Sequence, residues 1–194
     1  MTERAEQVAD TRRRIVEAAA HLHETVGPAA TTVVAIAAAA GVTRLTVYRH
    51  FPDDEAMFAA CSAHWLSGQH PPNPAAWATE SDPEQRLRVG LRDLYRFYAE
   101  GEPMLLRVHR DFDVLPEAQR DTLLNLDRVV TRALIEPFAV IGTQRRKVRA
   151  ALAHATSFGT WHDLCVRNRL SRSAAIELMA GLVRAAGLSR PGAP

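Results

Sequence analysis

The chain has 194 residues, 47% of them hydrophobic, and sets 24 basic against 22 acidic side chains for a net charge of +2. Its two cysteines, Cys61 and Cys165, lie far apart, which excludes a disulfide framework and a paired-cysteine metal or redox motif. The polar start (Met1 to Asp10) and the lack of a long apolar run argue against a signal peptide and a membrane span, so a cytoplasmic protein is expected. Lys147 is the only lysine, a bias that reflects coding composition before function; residues 1–58 hold six Arg against eight acids (net −2) and residues 59–194 hold 18 basic against 14 acidic side chains (net +4). Charge alone therefore names no partner, and function has to be read from pattern.

Strand-like alternation is missing, and helical periodicity recurs from Thr11 to Gly187, so the fold class is all-α. The first helix sets Ile15, Ala19, Leu22 and Val26 on one face and stops at Gly27-Pro28. Thr31 or Thr32 caps a short second helix through Ala40. Gly41 breaks it, and Thr43 caps a third helix to about His50, which Pro52 ends. Asp53, Asp54 and Glu55 put negative charge on the first turn of a fourth helix, from about 53 to 68, with Met57, Phe58, Cys61 and Trp65 on its apolar side.

Gly68 and three prolines at 71, 72 and 74 make Ser67 to Trp77 a non-helical linker. Ser81-Asp82-Pro83-Glu84 reads as a capping box opening a helix with Leu87, Leu91, Leu94 or Tyr95, and Tyr98 on one face, ending near Gly101. Glu102-Pro103 starts a shorter helix to about Arg110, and Pro116 a longer one to near Gly142. Single helices are expected over Thr143 to Arg169 and Ser171 to Gly187. Val148, Leu152, Ala155, Gly159, His162 and Val166 form a near-heptad seam on one, and Ile176, Met179, Val183 and Ala186 on the other. The tail Ser189 to Pro194 is expected to lack order.

Ala37, Gly41 and Val47 stand where a helix-turn-helix needs a small residue under the crossing helix, a sharp turn and an apolar seal. With Thr31-Thr32-Val33-Val34-Ala35-Ile36-Ala37 before them and Thr46-Val47-Tyr48-Arg49-His50-Phe51-Pro52 after, residues 12–58 resemble the DNA-binding signature of the TetR family of transcriptional regulators. The resemblance implies a DNA-binding domain at 1–58, onward linkage through the fourth helix, and an effector-binding and dimerisation domain at 59–190. It further implies a homodimeric repressor on double-stranded operator DNA, released by a small organic effector. Thr43, Arg44, Leu45 and Thr46 would face base edges or nearby phosphates, Tyr48 and His50 would bind phosphates, and Thr32 would meet the backbone. Arg44 suits bidentate pairing with guanine, and Leu45 suits thymine methyls. The family's lysine at the start of the fourth helix is replaced by Asp54. Either Arg12, Arg13 and Arg14 compensate, or DNA binding is weaker and less salt-dependent. Glu102-Pro103-Met104-Leu105 and Arg110-Asp111 also resemble one subgroup of the family.

For the C-terminal part the resemblance implies an effector pocket among the helices around residues 84–166. Trp65, Tyr95, Tyr98, Met104, Phe112, Phe158 and Trp161 are candidates by helical face, although aromatic stripes also simply fill cores. Ala155, Gly159, His162, Ile176, Met179 and Val183 are candidates for the dimer interface. His109, Asp111 and Asp113, and His154 with His162-Asp163, raise the alternative of a helical metal-dependent hydrolase. His154 and His162 are too far apart in sequence for the one-turn pair that chelates one ion. No cofactor, metal site or catalytic residue is implied. An effector-free dimeric DNA-binding regulator remains the closer alternative.

Overall fold

The computed structural model describes residues 2–187; the tail Ser189 to Pro194 lies outside the described residues. Among these, regular structure is helical throughout, with no strand. No helix among them is long and apolar enough to cross a membrane. The chain divides into two compact units, Met1–His70 with Gly101–Leu123, and Pro71–Glu100 with Leu124–Pro194.

The first unit opens with α1 (Thr2–Thr25), which begins well before the apolar periodicity at Thr11. Its first turns bury nothing, so they leave no hydrophobic signal; further along, Arg13 pairs with Asp10 and Glu17 across single helical turns. A 3-10 turn (Pro28–Ala30) follows, then α2 (Val33–Ala40), α3 (Arg44–His50) and α4 (Asp54–Ser67). Each of these three helices starts on a side-chain cap. Thr32 accepts from the Ala35 N–H, Thr43 from that of Thr46 and Asp53 from that of Ala56. Gly41, at φ 64°, supplies the left-handed residue between α2 and α3. Ile15, Ala19, Ile36, Ala37, Val47, Phe51, Met57 and Cys61 form one buried cluster that fixes these helices together. α7 (Glu102–Arg110), a 3-10 turn (Phe112–Val114) and the start of α8 (Glu117–Ile135) complete the unit, with α7 packed on α1.

The corner after α1 is pinned by the end of α7. Arg110 donates to the Val26 carbonyl at 2.9 Å, and the buried Asp111 carboxylate accepts the Ala29 N–H at 3.0 Å. The Arg110 guanidinium, donating to Asp111, holds that carboxyl below its ordinary range.

The second unit corrects several expected boundaries. The stretch Ser67 to Trp77, expected to be non-helical throughout, ends in the single turn α5 (Pro74–Trp77), because Asn73 caps it and Pro74 suits a first helical position. α6 (Pro83–Glu100) is capped by Asp82, which accepts from the Gln85 N–H at 2.8 Å, rather than by Ser81. α8 stops at Ile135, short of Gly142. The expected continuous helix from Thr143 to Arg169 is broken into α9 (Gly142–Ala155), α10 (Phe158–Trp161) and a π-helical stretch (His162–Arg167); α11 (Arg172–Gly187) follows. Two tyrosines of α6 meet that break. The Tyr95 hydroxyl donates to the Ala155 carbonyl at 2.9 Å and the Tyr98 hydroxyl to the Thr156 carbonyl at 2.6 Å, supplying partners where the helix ladder ends. Ser157 then caps α10 by accepting from the Thr160 N–H.

Candidate nucleic-acid interface

A recognition surface needs a short helix whose outward side chains are free to reach DNA and whose inward ones lock it. α3 has that division. Val47 is 1% exposed and seals the helix against α1 and α2, whereas Leu45 is 76% and Tyr48 54% exposed. Arg44 and Arg49 are exposed with them, and Thr46 and His50 are less uniformly open, His50 being half-buried. Thr32 and Thr43 are exposed at the starts of α2 and α3. Their side-chain oxygens already cap those helices, and the Thr43 hydroxyl lies 2.9 Å from that of Thr46. Every residue expected to meet DNA thus belongs to α3 or to a cap of α2 or α3.

Neither Arg44 nor Arg49 makes an ion pair among the described residues, so both guanidinium groups are available for phosphate or base edges. The motif alone does not single out Arg49, since the tyrosine and histidine beside it carry the resemblance; its exposed place on α3 puts it in the same set. The arginines of α1 have separate tasks. Arg13 is held by Asp10 and Glu17, Arg14 donates to the Ala40 carbonyl at the end of α2, and Arg12 lies over the Phe51 ring, 4.8 Å from its centroid. Arg12 thus sits beside the end of α3 and, like Arg14, makes no ion pair among the described residues. Asp54 is exposed in the first turn of α4, where its charge suits the helix dipole and opposes a phosphate.

In the second unit Tyr95, Tyr98, Phe158 and Trp161 come together. The Tyr98 ring stands edge-on to Phe158 at 5.6 Å and lies 5.9 Å from Trp161. Burial pushes both tyrosine phenols above their ordinary value. The Trp161 indole N–H is buried without an acceptor among the described residues. Trp65, Met104 and Phe112 fall in the first unit, where Trp65 lies against Gly101. Of the residues expected at a dimer interface, Ala155, Ile176, Met179 and Val183 are buried within the second unit, where α9 and α11 pack. His162 is half-buried, and Gly159 is exposed with nothing within 4 Å of an added Cβ. Among the described residues no group of three His, Cys, Asp or Glu side chains could hold a metal ion.

These features define a helix-turn-helix DNA-binding protein. Residues 15–61 match the family described as "Bacterial regulatory proteins, tetR family". Over these residues the chain is similar to the DNA-binding domain of that family. The whole fold is similar to the crystal structure of a TetR transcriptional regulator from Rhodococcus sp. RHA1, with a TM-score of 0.52 at 18% identity over 93% of this chain and 97% of that one. Among curated proteins none matches in sequence.

Proposed function

We propose that the chain is a repressor that binds operator DNA as a homodimer through α3 and is released by a small organic ligand held in its C-terminal part. In this reading residues 1–58 bind DNA, α4 leads onward, and residues 59–190 bind effector and dimerise. The observation that carries it is the outward face of α3, where Arg44, Leu45, Tyr48 and Arg49 are exposed on a helix locked from behind by Val47. The buried, acceptor-less indole N–H of Trp161 beside Tyr98 and Phe158 supports an effector that brings a hydrogen-bond acceptor. Exposed Leu178 and Leu182 on α11, with Gly159 and His162, support a dimer face whose buried backing is Ala155, Ile176, Met179 and Val183. The test is selection of bound duplexes from a random DNA pool. An enriched two-fold symmetric sequence is expected, and recovery of unselected sequence alone would overturn the reading.

A further inference from the structure

The first unit contains a cleft of about 250 Å³ bounded by α1, the Pro28–Ala30 turn, α3 and α4. Its apolar floor includes Ile36, Val47 and Met57, and Tyr48, Asp53 and Asp54 also line it. His23 lines it from α1, is 5% exposed, and stacks on Phe58 with ring centroids 4.6 Å apart. Neither imidazole nitrogen of His23 makes a hydrogen bond among the described residues, and neither is one of the fully buried partnerless atoms, which are Arg107 Nε and Trp161 Nε1, so the nitrogens keep contact with solvent although the ring is buried. Asp53 and Asp54 are the charged residues among those lining the cleft, and one Asp53 oxygen already accepts the Ala56 N–H that caps α4.

We propose that this cleft binds a small aromatic amine. Its apolar body would cover Ile36, Val47 and Met57, its ammonium would face Asp53 and Asp54, and the His23 ring would exchange a hydrogen bond with it. The volume lies under the range of about 300–1,000 Å³ common for drug-sized ligands, which limits the occupant to a single ring with a short arm. Burial holds His23 neutral, lowering its pKa from 6.5 to about 4, so the imidazole adds no repulsion toward a cation. An occupant touches Tyr48 and so competes with the phosphate contact assigned to that residue. This regulatory consequence rests on the operator-binding reading; the binding itself does not.

The experiment is a titration of phenethylamine, with phenethyl alcohol as the uncharged control, into the full chain while the His23 and Phe58 ring resonances are followed. Saturable shifts are expected with the amine. Affinity should fall about fivefold for the alcohol and for Asp54→Asn, the scale of a partly exposed charge pair. Val114 lines the cleft and is 61% exposed, so Val114→Trp should block entry without lowering thermal stability. No saturable shift, equal affinity for amine and alcohol, or undiminished binding in Val114→Trp would overturn the site. The titration needs no DNA, so the site stands or falls independently of the operator reading. With a selected operator duplex, the amine should weaken DNA binding by the parent chain and not by Val114→Trp; saturated ring shifts with unchanged DNA affinity would overturn the regulatory consequence.

Discussion

Gly27 sits at φ 96°, and a Cβ there would overlap the Arg110 guanidinium and the Asp111 carboxylate that pin the corner between α1 and α2. Gly27→Ala therefore combines a strained backbone with displacement of that latch and should cost at least about 2 kcal/mol in urea denaturation. A loss under half that size would mean the latch moves aside freely. His23 makes the opposite kind of demand, on protonation. Its pKa drops from 6.5 to about 4 in the folded chain because burial disfavours the charged ring. Above about pH 6.5 neither state is protonated and the stability is fully present. As pH falls from there the unfolded chain takes up the proton first, so stability is lost until about pH 4, where the folded ring charges too. The total is on the order of 3 kcal/mol. His23→Leu should remove that part of the slope, measured as the difference between parent and variant denaturation at successive pH values, and identical slopes would show that His23 is solvated.

At the scale of elements, the sequence shows a helix most clearly where a cap, an apolar stripe and a breaker agree. Thr32, Thr43 and Asp53 with Gly41 and Pro52 bound α2, α3 and α4 within a residue or two of expectation. The break between α9 and α10 is not legible in the sequence, because the seam from Val148 to Val166 keeps its period straight across it. What favours the break is remote in sequence: Tyr95 and Tyr98 supply donors to the Ala155 and Thr156 carbonyls. Tyr98→Phe strands the buried Thr156 carbonyl and should cost about 1–3 kcal/mol in thermal or urea denaturation; a neutral result would show that the break stands without it. The interface divides between what a motif reveals and what exposure reveals. Arg44, Leu45 and Tyr48 are candidates because the family resemblance implies them, whereas the exposure of Arg49 and the placement of Arg12 over Phe51 need the fold. Arg44→Ala should lose about 1–3 kcal/mol on a selected operator and relax preference at one base pair. Equal loss on random duplex would reassign it to phosphate. If Asp54 faces a phosphate as the family resemblance implies, Asp54→Lys should raise affinity for all duplexes and steepen the salt dependence by about one unit in titrations at several salt concentrations, and an unchanged slope would place Asp54 away from DNA.

For the molecule as a whole, local pattern suggests that α4 alone joins the DNA-binding and effector parts, but the chain passes between the two compact units at residues 70–71, 100–101 and 123–124. The return of residues 101–123 to the first unit is invisible to that pattern, since it depends on α7 packing against α1. A ligand at the proposed site of Tyr98, Phe158 and Trp161 would therefore have several covalent routes to α3. Whatever route dominates, thermodynamics fixes the relation between the two sites. A ligand can favour release only through its differential affinity for the released state, with coupling typically of about 1–3 kcal/mol. That coupling is reciprocal: operator DNA must weaken the ligand by the same factor by which the ligand weakens operator DNA. Trp65, lying against Gly101 beside the second crossing, is placed to transmit such a change, so Trp65→Ala should alter the coupling more than either affinity alone. The measurement is paired calorimetry of a ligand found by thermal-shift screening, titrated into free protein and into the operator complex. Matching ratios from the ligand and DNA titrations are expected. Identical ligand affinities in the two titrations would reject release by effector and leave a constitutive DNA-binding dimer, because a ligand that cannot distinguish the two states cannot shift the balance between them.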